Sequence, residues 1–85
     1  MKFINIGFGN MVVAERIVGV LSPDSAPVRR LVQDAKEDGR AIDLTAGKKT
    51  RSVVLTDTEH VFLSAVQVTT VTARIEGSEL EPDGE

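Results

Sequence analysis

Eighty-five residues without a cysteine allow one small domain and exclude both a disulfide framework and a thiolate metal site. A hydrophobic content of 41 % is ordinary for a globular chain, and so short a chain has little volume for a core and a catalytic cleft together. The net charge of −3 is unevenly spread: Glu76, Glu79, Glu81, Asp83 and Glu85 follow Ile75 with no base among them, which leaves 10 bases against 8 acids, a net of +2, over residues 1–75.

Phe3, Ile4 and Ile6 predict a first strand. Gly7-Phe8-Gly9-Asn10 follows as a turn, in which Gly9-Asn10 supplies the positive φ of a hairpin. A strand followed by Gly-x-Gly also opens dinucleotide-binding units. Here Val12 occupies the third glycine position, Met11, Val12 and Val13 favour a strand over a helix start, and no βαβ unit fits before Pro23. The opening apolar stretch is interrupted by Asn5 and Asn10 and closed by Glu15 and Arg16, so neither an export signal nor a membrane span is expected.

A second extended run goes from about Val12 to Leu21. Arg16 lies inside it, either paired with Glu15 or a cross-strand acid, or contributing to an anion-binding surface. Pro23 has no N–H for the ladder and stops the strand, and Asp24 or Ser25 can cap the helix that follows. Pro27 is tolerated only in a first turn, which sets the helix start at about 24–26. Val28, Leu31, Val32 and Ala35 recur at i, i+3, i+4 and i+7 as one core-facing stripe, and Gly39 is the natural C′ residue. Arg30 can pair with Asp34 and lies above Glu37. Arg29 instead has Gln33 at i+4 and Lys36 at i+7, so Arg29 and Lys36 are the candidates for an exposed basic stripe.

The segment from Ala46 to Arg51 holds three cations, Lys48, Lys49 and Arg51, at a glycine-marked turn. Ile42, Leu44 and Ala46 precede it, and Val53, Val54 and Leu55 follow, which predicts a β-hairpin with a cationic tip. Such a tip suits an anion lying outside the protein, and a polymeric phosphate fits it best. Val61, Phe62, Leu63 and Val66 give another strand after the polar turn Thr56-Asp57-Thr58-Glu59. Val68, Val71 and Ile75 space as a short helix ended by Gly77, against the β-branched Thr69, Thr70 and Thr72.

The expected fold is α+β: a small, mostly antiparallel sheet of about five strands with one main helix and a short C-terminal helix. A single domain over residues 1–76 is followed by an acidic, disordered tail over 77–85. The runs Val53-Val54-Leu55 and Val61-Phe62-Leu63 are apolar on both strand faces. One long helix covers only one face, so another copy of the chain is the expected cover for the second.

Ser22, His60 and Asp24 do not lie in a nucleophile turn, so no catalytic residues are assigned. His60 is the only histidine, and no metal or other cofactor is expected.

Phe3-Ile4-Asn5-Ile6-Gly7-Phe8-Gly9-Asn10-Met11-Val12, Ser22-Pro23-Asp24-Ser25-Ala26-Pro27 and Gly47-Lys48-Lys49-Thr50-Arg51-Ser52-Val53 resemble the RemA family, bacterial regulators of extracellular matrix genes, in order from about Lys2 to Val66. The resemblance implies a DNA-binding transcriptional regulator of matrix and biofilm genes, cytoplasmic and nucleoid-associated. It also implies a closed homo-oligomeric ring, of about seven or eight copies, that presents basic loops to double-stranded DNA. It assigns DNA contacts to Lys48, Lys49 and Arg51, with Arg16 also implicated, and a structural role near a subunit contact to Pro27. Family members often carry Arg where this chain has Lys48 and Lys49; lysine keeps the charge but lacks the bidentate fork. The alternative from the residues alone is a protein-interaction module whose basic hairpin binds an acidic partner protein.

Overall fold

The computed structural model describes residues 1–77 and divides them between two sheets and two helices. Strands β1 (Phe3–Asn5) and β2 (Met11–Val13) pair antiparallel, with Phe3 opposite Val13 and Asn5 opposite Met11. Gly7, Phe8 and Gly9 turn the chain at φ values of 120°, 52° and 77°. The Asn5 carboxamide oxygen accepts from the Gly7 N–H at 2.7 Å, and the Asn10 N–H donates to the Gly7 carbonyl at 2.9 Å. This is the expected hairpin, with the positive φ carried by residues 7–9.

A 3-10 turn over Ala14–Arg16 divides the run expected to be continuous over 12–21. The front part pairs with β1, while the rear part becomes β3 (Ile17–Leu21) and joins the second sheet. That division yields six strands instead of about five. The second sheet has the order β3-β5-β6-β4, where β4 is Ala41–Asp43, β5 is Ser52–Thr56 and β6 is Val61–Ser64. Its pairs are antiparallel except β4 with β6, which run parallel. The fold is α+β and mostly antiparallel.

Helix α1 (Ala26–Glu37) starts where Pro27 requires it to. The Ser25 hydroxyl caps it by accepting from the Val28 N–H at 3.3 Å, and Gly39 ends it at φ 75°. Its stripe of Val28, Leu31, Val32 and Ala35 packs against Val53, Val61 and Leu63 on one sheet face. Helix α2 (Val68–Ile75) forms despite its threonines because Val71 is fully buried, and tertiary burial outweighs intrinsic propensity.

On the opposite sheet face Val54 and Phe62 meet Ile4, Ile6, Val66 and Val71. The two strands are thus apolar on both faces, as the sequence indicates, but the hairpin and α2 of the same chain cover the second face. Another copy is not needed there. The reason is the 3-10 turn, which frees the first fifteen or so residues from the main sheet and lets them fold over it as a lid. The acidic tail expected over 77–85 lies, from residue 78 on, outside the described residues. Among the described residues no helix is long and apolar enough to cross a membrane.

Candidate nucleic-acid interface

The cationic segment is not a hairpin. β4 and β5 do not pair, because β6 lies between them and takes β4 as a parallel partner. The segment 44–51 is therefore a crossover loop that passes over the end of β6. Both of its ends are pinned to that strand: the Leu44 N–H donates to the Leu63 carbonyl and the Arg51 N–H to the Ser64 carbonyl, each at 2.8 Å. Asp43 fixes the entry, its carboxylate accepting from the Thr45 N–H at 2.9 Å and the Thr45 hydroxyl at 2.6 Å. These bonds, the hydroxyl first, hold the Asp43 carboxyl below its ordinary range. The tip is a tight turn in which the Lys48 N–H donates to the Thr45 carbonyl at 3.0 Å. Its central residues Ala46 and Gly47 have φ values of 54° and 83°, the signs a type I′ turn requires.

Lys48, Lys49 and Arg51 leave this fixed backbone exposed. Among the described residues none of the three forms an ion pair. Lys48 instead holds its ammonium 5.9 Å from the ring centroid of Phe8, which brings the glycine-rich turn of the first hairpin beside the basic loop. Nothing in the sequence links these two segments.

Three connections meet at this end of the main sheet: the turn before α1, the basic loop, and the segment entering α2. Between them lies a cleft of about 280 Å³ lined by Ser22, Pro23 and Asp24, by Lys49, Thr50 and Arg51, and by Gln67, Val68 and Thr69. A second cleft, of about 290 Å³, shares Pro23 and Thr50 with it and is walled by Arg29, Val32, Gln33 and Lys36 of α1 against Val53 and Leu63. Arg29 and Lys36 thus stand on the same side of the molecule as Lys49 and Arg51. The Arg29 guanidinium donates to the Asp24 carbonyl at 2.9 Å, which orients it without neutralising it. The pairing expected between Arg30 and Asp34 is not formed; on that helix Gln33 instead donates to Glu37 at 3.1 Å. Pro27 is exposed in the first turn of α1.

Arg16 lies elsewhere. It ends the 3-10 turn and its Nε meets the Asp57 carboxylate at 3.1 Å, the side chains being 57 % and 49 % exposed. Arg51 precedes β5 and Asp57 follows it, so Arg16 is separated from the basic loop by the length of that strand, about 20 Å. Glu15, the other acid considered for Arg16, accepts from the Lys2 N–H at 3.1 Å, and that bond lowers its carboxyl pKa. His60 is a surface turn residue whose Nδ1 lies 3.2 Å from the Thr58 hydroxyl.

The site is therefore a basic edge at one end of the sheet, with its cations exposed and its loop backbone hydrogen-bonded at both ends to β6. Phe8, Ser22, Gln67 and Thr69 belong to it by position, and no spacing in the sequence singles them out.

Comparison with known proteins agrees over nearly the whole chain. Two proteins named "putative regulatory protein", from Geobacillus thermodenitrificans and Dictyoglomus turgidum, are 57 % identical over 79 residues and 54 % identical over 83 residues, covering 93 % and 98 % of this chain and 91 % and 98 % of those relatives. One from Nitratidesulfovibrio vulgaris is 55 % identical over 73 residues, covering 86 % of this chain and 85 % of its own. Residues 3–75, which contain every element described above, match the model of the extracellular matrix regulatory protein A-like proteins, and the chain belongs to this RemA-like family.

Proposed function

We propose that this protein is a DNA-binding transcriptional regulator of extracellular matrix and biofilm genes. It works in the cytoplasm, at the nucleoid, as a ring-like homo-oligomer that presents its basic loops to the DNA backbone. The observation that carries this reading is the loop 44–51, where Lys48, Lys49 and Arg51 stand exposed and without ion pairs among the described residues, on a backbone tied at both ends to β6. A rigid cationic edge loses little conformational entropy on meeting a phosphate chain, and each neutralised phosphate releases counterions. The role is binding, with no catalytic step. The regulatory names of the relatives support it.

Assembly has its own support. Phe3 and Met11 are 58 % and 54 % exposed on the outer face of the first hairpin, and Val18 is 67 % exposed on β3. Large apolar side chains left exposed on these strands favour contact between copies. Pro27, exposed on α1, belongs to or beside such a contact, and Arg16, paired with Asp57 at the far end of β5, reaches DNA only as a contact point of the ring separate from the basic loop.

A gel-shift titration paired with light scattering tests both parts. The expected result is a particle several times 9.2 kDa that retards duplex DNA and loses that ability when Lys48 and Lys49 are both changed to Ala. A monomer at about 10 μM or more would overturn the ring. Parental affinity in the double variant, with assembly unchanged, would move the binding surface away from the loop.

A further inference from the structure

The two clefts at the basic end of the sheet share Pro23 and Thr50, so they lie side by side. Arg29 and Lys36 stand along one part, Lys49 and Arg51 along the other, and all four are exposed. Among the described residues that line either cleft, Asp24 is the only carboxylate. The excess of positive charge is carried by exposed cations. An enclosed pocket for a small ligand instead buries most of the ligand's surface, so the chemistry here fits a polymer lying in an open channel.

The dimensions agree with that. Arg29, Val32, Gln33 and Lys36 follow i, i+3, i+4 and i+7, so a single helix face forms one wall, and it is about 10 Å long. With a rise of about 3.4 Å per phosphate and the turn of the helix, successive phosphates of one B-DNA strand lie about 6–7 Å apart along the backbone, so this wall runs beside about two phosphates. At the other end Gln67 and Thr69 are exposed at the start of α2. The N-cap, Gln67, makes no side-chain cap bond, so the first-turn amides of α2 add to the positive character already set by Lys49 and Arg51.

We propose that the adjoining clefts act as one groove that seats the phosphodiester backbone of one strand of duplex DNA, with Arg29, Lys36, Lys49 and Arg51 as its charged walls and Gln67 and Thr69 at its α2 end. This rests on the DNA-binding reading above and extends the interface from the loop to both helices.

The test changes the groove without touching the loop. Thr69→Glu adds a carboxylate at the mouth, and an acid in the first turn of a helix is stabilising, so the fold is not weakened. Thr69→Gln is the neutral control of similar size. Lys36→Gln removes a charge at the far end from an exposed position. DNA affinity is measured for each variant and for the Lys48→Ala/Lys49→Ala double variant, across salt, with oligomer mass followed by light scattering. The groove predicts that Thr69→Glu lowers affinity about tenfold and, like Lys36→Gln, makes the salt slope shallower by about 0.9. Thr69→Gln loses clearly less affinity than Thr69→Glu, by about fivefold or more, and a mononucleotide at matched ionic strength does not displace the duplex.

Parental affinity in both Thr69→Glu and Lys36→Gln would overturn the groove and, if the loop double variant is impaired, leave the DNA-binding reading standing. Equal losses in Thr69→Glu and Thr69→Gln would mean shape, not phosphate repulsion, and would also overturn it. Displacement by the mononucleotide would assign the clefts to a small phosphorylated ligand instead. Absence of DNA binding by the parent would sink both readings together.

Discussion

Ser52 and Ser64 face each other across β5 and β6, and both are fully buried, yet they differ in what they do. The Ser64 hydroxyl donates to the Ile6 carbonyl at 2.6 Å and accepts from the Val66 N–H at 3.0 Å, tying the first hairpin to the entry of α2. The Ser52 hydroxyl finds no partner among the described residues. Ser64→Ala strands a buried carbonyl and a buried N–H, and the expected cost is about 1–3 kcal/mol. Ser52→Ala removes an uncompensated hydroxyl and is expected to be neutral or stabilising by up to about 1 kcal/mol. Urea denaturation of the two variants checks the contrast, and similar losses in both would contradict it. Gly7 makes a second contrast. At φ 120° a Cβ would sit 3.3 Å from Val66 Cγ2, whereas Gly9, at φ 77°, has nothing within 4 Å. Gly7→Ala should cost about 1–3 kcal/mol and Gly9→Ala about 1 kcal/mol. The same denaturation curves separate them.

The basic loop is held by bonds from the elements it joins. Asp43, the last residue of β4, turns the chain through the two bonds it accepts from Thr45. Those bonds favour the ionised carboxyl in the folded state, so its folded pKa lies below the unfolded value. The stabilisation is therefore complete above the unfolded value of about 3.9 and is lost as pH falls through the lower, folded one. Asp43→Ala should be less stable than the parent at neutral pH, and the gap should close on acidification below about pH 4. Thermal unfolding of both proteins between about pH 7 and pH 2 tests this; a gap that persists at the lowest pH would assign the effect to packing. Removing a carboxylate beside the loop by itself favours phosphate binding, so a loss of DNA affinity in Asp43→Ala at pH 7 would report loss of loop order.

For the whole molecule the question raised by the proposed function is how a chain of net charge −3 would hold DNA. In the proposed role, Lys48, Lys49 and Arg51 would neutralise about three phosphates per subunit, which gives a slope of log affinity against log salt of about −2.7. Between about 50 and 200 mM salt such a subunit loses about forty-fold in affinity, so it binds weakly alone. Several copies on one duplex add their slopes and gain from high local concentration. The assembled protein is expected to show a slope of about −6 or steeper, and Lys48→Ala/Lys49→Ala should make it shallower while the mass is unchanged. Arg51→Ala should weaken binding more than either single lysine change, because only Arg51 offers a forked contact. A slope near −3 in a particle of several copies would mean that only one subunit engages the duplex at a time.

Local rules decided much of this protein from the sequence alone. Pro27 and Ser25 fixed where α1 begins, Gly39 where it ends, and the Val28-Leu31-Val32-Ala35 spacing which face it buries, because capping, φ restriction and helical period act within a few residues. The Gly7–Asn10 turn and the exposure of Lys48, Lys49 and Arg51 follow from equally local causes. Pairing between distant segments was not legible. Two apolar runs around a glycine turn read as a hairpin, yet β6, which comes later in the chain, inserts between them and turns the tip into a crossover loop. Arg16 looked like part of the basic surface until strand order put it at the far end of β5, beside Asp57. Phe8, Gln67 and Thr69 joined the basic edge only because three connections meet at one end of the sheet. Strand order is set by burial of Val53 and Val54 on opposite faces, a choice that compares whole packings and leaves no mark at any single position.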